Sequence, residues 1–257
     1  LLLKNAIPHA AAKGKPGTPA FRAALRDALE QTKDMPATQG VYNMTAADHS
    51  GFDERGRELI TVTILATLQS LPQLRAHVNA ALNVGVEPVE LREVIYQLAP
   101  FLGFPRTLNA IAVLNEVLTA REVDLPLPDQ GTTTDDDRLD RGRVVQQSLY
   151  GNRMADSLAS LPEPFAQAVP RLLTEWAFGD FATRGGLDTP TRELLILCAL
   201  AALNLEPQVR SHVAGALAAG NRPETVLAAL AHLSGYAGFP LAVNAIRIVA
   251  EQLQNEQ

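Results

Sequence analysis

The chain contains the same unit twice. Residues 51–118 align with residues 186–253 at a constant offset of 135 without a gap, and 26 of the 68 paired positions are identical. The matched pairs include Asp53/Asp188, Arg57/Arg192, Glu58/Glu193, Pro72/Pro207, Gln73/Gln208, Arg75/Arg210 and His77/His212. They continue through Gly85/Gly220, Pro88/Pro223, Gly103-Phe104-Pro105 against Gly238-Phe239-Pro240, and Asn109/Asn244. Two copies are too few for a solenoid and suit a pseudo-dimer built around a pseudo-two-fold axis. Between the copies lies Arg121–Asp137, with Pro126, Pro128, Gly131 and the run Asp135–Asp137, a turn-rich acidic linker. The expected organisation is a first unit with its N-terminal helix over 1–120, a linker over 121–137, and a second unit over 138–257.

Punctuation inside the unit spells four helices. In the second copy Asp188 is placed to cap a helix, with Pro190 in its first turn. Glu193–Leu203 is apolar nearly all round, the mark of a buried helix. Pro207, Pro223 and Pro240 open the next three helices, and Gly220 and Gly238 close the two between them. The first copy repeats this with Pro72, Gly85, Pro88, Gly103 and Pro105. Further helices are expected at about Pro19–Thr32, at Arg138–Tyr150 closed by Gly151, and at about Pro162–Phe178, where Ser160 and Glu163 form a capping-box pattern. The apolar residues make up 47% of the chain but aromatics only 5%, so the core is mostly Ala, Leu and Val. That favours packed helices over a β-sandwich, and no segment alternates like a strand. The fold class expected is all-α.

Several functions are excluded or disfavoured. Net charge is −6 and no basic stripe occurs, which argues against a nucleic-acid partner. The one cysteine, Cys198, rules out an internal disulfide and a CxxC pair. No apolar run reaches the roughly 18 residues of a membrane span. No His-x-x-x-His cluster or Gly-rich strand-to-helix loop points to a metal or a nucleotide. The chain opens on Leu1, and Leu1–Ala12 reads either as the tail of a removed leader or as a frayed end. Cytoplasmic placement is the default expectation, with export as the alternative.

The string WAFGDFATRGGLDTPTRELLILCALAALNLEPQVRSHVAGALAAG from Trp176, followed by GYAGFP, is similar to the carboxymuconolactone decarboxylase family. GRELITVTILATLQSLPQLRAHVNAALNVG from Gly56, followed by FLGFP, resembles the same family. The resemblance implies an alkylhydroperoxidase D-like fold and homo-oligomers of paired units. It also implies one of two chemistries. The peroxidase branch has a Glu-x11-Cys-x2-Cys-x3-His pattern. Glu58 and His77, and likewise Glu193 and His212, match its ends, but Ser70, Gln73, Leu205 and Gln208 stand where it has cysteines. A thiol peroxidase without a thiolate nucleophile or a resolving thiol has no chemistry. The decarboxylase branch needs no cofactor and implies a small carboxylated lactone or related acid as substrate. A third reading, from a different class, is a ligand-binding or scaffold protein that kept the fold and lost the chemistry.

Decarboxylation needs a donor for the developing oxyanion, an acid for the carbon left behind, and a partner for remaining carboxylates. His212 and His77 are the candidate acids. Each sits four residues after Gln208 or Gln73 on one helical face. Glu193 and Glu58 lie on the preceding helix, where a turn-back brings Glu and His together across an antiparallel pair. A buried Glu–His pair that only locks two helices explains the same spacing. Arg57/Arg192 and Arg75/Arg210 lie off the histidine face, to reach a ligand from an edge or to be solvated. Trp176, Phe178, Asp180 and Arg184 resemble the family's substrate side. Their offset partners Val41, Asn43, Thr45 and His49 do not match, so the pocket nearer Trp176 and His212 is the expected one. Gln208, Gln73, Arg210, Arg184 and Trp176 are the candidate substrate contacts. His232, which replaces Gln97 of the first copy, reads as a surface residue before a pocket residue. His9 and His49 have no partner spacing, and Cys198 reads as core.

Overall fold

The computed structural model describes residues 10–15, 18–30, 35–37, 40–42 and 52–255. His9, Asn43, Thr45 and His49 lie outside the described residues, as do the first nine positions. Compact units are Leu1–Asp53 and Glu54–Gln257. The linker lies inside the second unit, so both copies of the repeat belong to one compact body.

In the first unit, helix α1 spans Pro19–Glu30, and a small antiparallel hairpin joins β1 (Met35–Ala37) to β2 (Gly40–Tyr42). The hairpin was not expected. Three residues a side are too short to show an alternation.

The second unit is helical, and its two copies follow the same plan. The first copy is α2 (Glu54–Thr67), α3 (Leu71–Asn83), α4 (Pro88–Tyr96), α5 (Ala99–Leu102) and α6 (Phe104–Ala120). Then come α7 (Arg138–Tyr150), α8 (Arg153–Leu158), α9 (Phe165–Leu173) and a π-helix over Thr174–Ala182. The second copy is α10 (Thr189–Ala202), α11 (Glu206–Ala218), α12 (Pro223–Ala237) and α13 (Phe239–Asn255). Asp188 caps α10 by accepting from Thr191 N–H at 2.9 Å. Every residue from Arg192 to Ala202 is buried, so α10 is a core helix on all sides. Helices α2 and α10 pack on each other, and α12 of the second copy also packs on α2 of the first. The two copies therefore share one core, as a pseudo-dimer does.

Matched positions do matched work. Gln69 and Asn204 both take a left-handed backbone, φ +57° and +56°, to turn the first helix of each copy into the next. Arg75 pairs with Glu116, and Arg210 pairs with Glu251 at 2.8 Å, tying the second helix of each copy to the last. The copies differ in the third helix, continuous in α12 but split into α4 and α5. Pro100 has no N–H to donate to the Tyr96 carbonyl, and the residue at that position in the other copy is Gly235.

Two sequence expectations are corrected here. The helix expected from Pro162 starts at Phe165 with Pro164 at its cap position, and no side chain caps it. Glu163 instead accepts from Gln167 Nε2 at 3.2 Å, so the Ser160–Glu163 capping box does not form. The same helix was expected to end near Phe178, whereas from Thr174 it widens into π turns that run to Ala182. Pro170 inside α9 already removes one bond from the helical ladder. Gly142 on α7 and Gly179 on the π-helix let these two segments touch backbone to backbone; a methyl at either would overlap the other's main chain.

The linker is tied down rather than free. Arg92 donates to the Leu127 and Pro128 carbonyls at 3.0 and 2.8 Å, and Gly185 N–H donates to the Gln130 carbonyl at 3.0 Å. Arg92 and Arg184 both hold Glu93, at 3.0 and 2.8 Å, and Glu93 is fully buried.

Candidate functional site

Two Glu–His pairs form where the spacing placed them. On α10 and α11, Glu193 Oε2 lies 3.1 Å from His212 Nδ1. On α2 and α3, Glu58 Oε2 lies 2.8 Å from His77 Nδ1. The turn between the paired helices folds each second helix back, so residues 19 apart in sequence meet side by side. The pairs are not equivalent. Glu193 and His212 side chains are 5% and 10% exposed, against 19% and 28% for Glu58 and His77.

The second pair carries a third member that sequence reasoning missed. Tyr150, the last residue of α7, donates its hydroxyl proton to Glu193 Oε2, and its oxygen lies 2.7 Å from His212 Nδ1. The phenol has one proton, and it is spent on the carboxylate. Nδ1 of His212 must then supply the hydrogen of its own contacts, which fixes the tautomer. Nε2 is left without a partner among the described residues. Burial, and then the Glu193 carboxylate, push the Tyr150 phenol far above its ordinary range, so it stays neutral and donating. A signal for it existed in Gly215. A methyl there would meet the Tyr150 oxygen at 2.5 Å and Glu193 Oε2 at 2.7 Å, and the matching residue in the first copy is Ala80.

Each histidine is closed by an aromatic ring from the other copy. His212 stands edge-on to Phe101 and His77 edge-on to Tyr236, both with centroids 5.5 Å apart. Phe101 and Tyr236 occupy the same repeat position. The candidate sites therefore lie between the copies rather than within them.

A cavity of about 210 Å³ opens beside His212. Its polar edge is His212, Glu193, Arg192, Gln97, Gln208 and Thr189. Its apolar wall comes from Val145 and Leu149 of α7, Leu173 of α9, Ala177, Phe178 and Phe181 of the π-helix, Phe101 of α5 and Ile196 of α10. Gln208 is exposed and stands at the mouth, whereas Arg192 and Gln97 are 3% and 2% exposed. Pockets for drug-sized ligands run to about 300–1,000 Å³, so this one fits a small molecule.

The other sequence candidates are placed as follows. Trp176 lies against Phe104 and Phe181, at 5.6 and 6.1 Å, and is not part of the cavity wall. Arg184 is spent on Glu93 and Asp129, at 2.8 and 3.1 Å, also away from the wall. Arg210 is held by Glu206 and Glu251 at 2.9 and 2.8 Å on the outer side of its helix, and Gln73 and Arg75 are exposed. Off-face positions on a helix cannot turn inward, which is why the arginines two residues before each histidine stay outside. Arg192 is the opposite case, an edge arginine that the fold buries. His232 is not a surface residue. It is half-buried with Nε2 2.8 Å from the Thr61 hydroxyl, and burial, with Arg57 and His77 nearby, lowers its pKa. Cys198 is fully buried, and that burial raises its thiol to about 12, so it holds no thiolate near neutral pH.

Comparison with known proteins follows the same two copies. The model of the carboxymuconolactone decarboxylase family matches residues 35–116 and again 167–251, more than half the chain. Peroxisomal protein 2 of Schizosaccharomyces pombe is 29% identical over 144 residues, covering 54% of this chain. The chain spans 65% of that relative's length. A nitrosuccinic acid decarboxylase of Metarhizium robertsii is 28% identical over 118 residues, 46% of this chain and 82% of the relative. A 4-carboxymuconolactone decarboxylase of Acinetobacter baylyi is 28% identical over 119 residues, 46% of this chain and 88% of the relative. With its unit duplicated and the matches falling on both copies, the chain belongs to the carboxymuconolactone decarboxylase family.

Proposed function

We propose that this protein is a cofactor-free lyase that decarboxylates a small carboxylated lactone or related acid in the cavity beside His212. The observation that carries this reading is the Tyr150–Glu193–His212 chain at the edge of a mostly apolar cavity, with His212 Nε2 unpartnered among the described residues. Two of the relatives bear the names of decarboxylases, and the reaction class is carried over from them as part of the proposal.

In this reading the carbon–carboxylate bond breaks and releases CO₂. Its electron pair delocalises toward an adjacent carbonyl of the substrate. Protonated His212 then gives its Nε2 proton to the carbanionic carbon, forming the new C–H bond, and the imidazole recovers a proton from solvent. Glu193 offsets the imidazolium charge while the proton waits there, and Tyr150 holds the ring in place. The apolar wall favours the step that disperses the carboxylate charge. Gln208 stands at the entrance as the remaining candidate substrate contact, while Glu58 and His77 form the more exposed counterpart. The test is incubation with 4-carboxymuconolactone and measurement of CO₂. Release above the uncatalysed rate supports the reading, and none from this or related lactone acids removes it.

Assembly and compartment belong to the same proposal. Phe104, Leu108 and Phe239 are 57%, 61% and 72% exposed, apolar surface of the kind that subunit contacts cover. We take the protein to be a homo-oligomer, and a strict monomer in sedimentation at micromolar concentration would count against it. Among the described residues no helix is long and apolar enough to cross a membrane. We place the chain in the cytoplasm. Because one relative carries a peroxisomal name, the deciding measurement is fractionation against a peroxisomal marker.

A further inference from the structure

Two donors in the cavity wall have nothing to donate to. Gln97 Nε2 and Arg192 Nε are sealed from the surface and make no hydrogen bond with any described residue. Buried donors without partners are rare and costly, and both belong to side chains of the cavity wall, where a small shift of either side chain brings its N–H to an occupant. The rest of both groups is fixed in place. Arg192 Nη2 donates to the Arg184 and Gly185 carbonyls at 2.9 and 2.8 Å, and its Nη1 reaches Gln97 Oε1 at 3.4 Å. The two side chains are thus aligned by each other and by the backbone after the π-helix.

Charge points the same way. Arg92, Arg184 and Arg192 surround Glu93, but Arg92 and Arg184 take its oxygens at 3.0 and 2.8 Å while Arg192 stands back at 3.6 Å. Asp129 takes the other side of Arg184 at 3.1 Å. Arg192, the arginine on the cavity, is thus the one of the three without a close ion pair to Glu93. A buried guanidinium without a close ion pair favours an anion beside it. This arrangement exists at one pole only. In the other copy the equivalent of Gln97 is His232, whose Nε2 is already engaged by Thr61, and Ala228 and Leu227 stand where the first copy has Glu93 and Arg92.

We propose that Gln97 and Arg192, contributed by opposite copies of the repeat, form an anion subsite in the cavity that holds a carboxylate the ligand keeps. The last clause rests on the lyase reading; the subsite itself does not. Two donors stabilise a carboxylate charge where it is, whereas decarboxylation must disperse that charge. A carboxylate bound here is therefore retained, and the bond that breaks lies elsewhere in the ligand.

The test is calorimetric titration of the full chain with acetate, succinate and benzoate, and with their neutral amides. At least one acid should bind, and its amide should bind at least ten-fold more weakly. Gln97→Leu should weaken the acid about ten-fold, the share of one charge-assisted hydrogen bond. Gln97→Glu places a carboxylate of the protein's own beside Arg192 and should exclude the acid while remaining folded. Binding of no acid, or unchanged binding in Gln97→Leu and Gln97→Glu, overturns the subsite. If binding follows this pattern yet no acid yields CO₂, the subsite stands and the lyase reading fails. If CO₂ is released and Gln97→Leu leaves KM unchanged, or lowers only kcat, the subsite falls and the lyase reading stands.

Discussion

The oxygen of Tyr150 stands 2.7 Å from Nδ1 of His212, and the same hydroxyl donates to the Glu193 carboxylate. One phenol thus contacts both members of the Glu–His pair, and Nε2 is the imidazole nitrogen left without a partner among the described residues. Tyr150→Phe keeps the ring that packs edge-on to Phe178 at 5.7 Å but removes the hydroxyl. A decarboxylase that depends on this orientation should lose about ten-fold in kcat, or about 1.4 kcal/mol of barrier. The pH dependence of kcat should shift with it, because the imidazole loses a neighbour that fixes its proton. An unchanged pH profile would make Tyr150 a packing residue only.

Gly215→Ala tests the same contact from the other side. Glycine to alanine inside a helix ordinarily stabilises by about 0.5–1 kcal/mol. Here the new methyl would sit 2.5 Å from the Tyr150 oxygen, so the sign should reverse and the melting temperature fall. The matched change Ala80→Gly in the other copy should cost only the ordinary helix-propensity penalty. Thermal melts of both variants decide it, and a stabilised Gly215→Ala protein would contradict the contact.

The two Glu–His pairs should separate by function. His212→Gln keeps size and polarity but removes the imidazole that passes the proton, and should lower turnover by roughly 10²–10⁴-fold. His77→Gln should leave most turnover intact and show itself mainly as lost stability of about 1–3 kcal/mol. Measuring turnover and melting temperature on both variants tests the assignment. Turnover abolished only in His77→Gln would move the site to the first copy.

His232 gives the protein a pH-dependent share of its stability. Burial, Arg57 and His77 hold its pKa below the ordinary histidine value. The unfolded chain therefore binds that proton more readily than the folded one, and stability falls as pH drops below about 6.5. The loss levels off beneath the folded-state pKa. His232→Gln should flatten this part of the stability curve relative to wild type between about pH 7.5 and 5. Parallel curves for the two proteins would show that His232 ionises as it does in water.

The repeat, the helix limits and the Glu–His spacing were legible in the chain because their causes are local. Proline and glycine act on their own turn, Asp188 caps the helix it precedes, and a helix folded back by a short turn brings residues 19 apart together. The split of α4 from α5 was legible in principle through Pro100. The capping box failed because Ser160 and Glu163 match a pattern that Pro164, placed just before the helix, cuts short. What only tertiary structure decided is who meets across the two copies. Tyr150 lies 62 residues from His212 and Gln97 lies 95 from Arg192, and no periodicity links such positions. A gapless duplication proposes two equal sites. Packing then breaks the symmetry, because Gly215 admits a hydroxyl where Ala80 presents a methyl, and because Glu93 and its arginines exist on one side only.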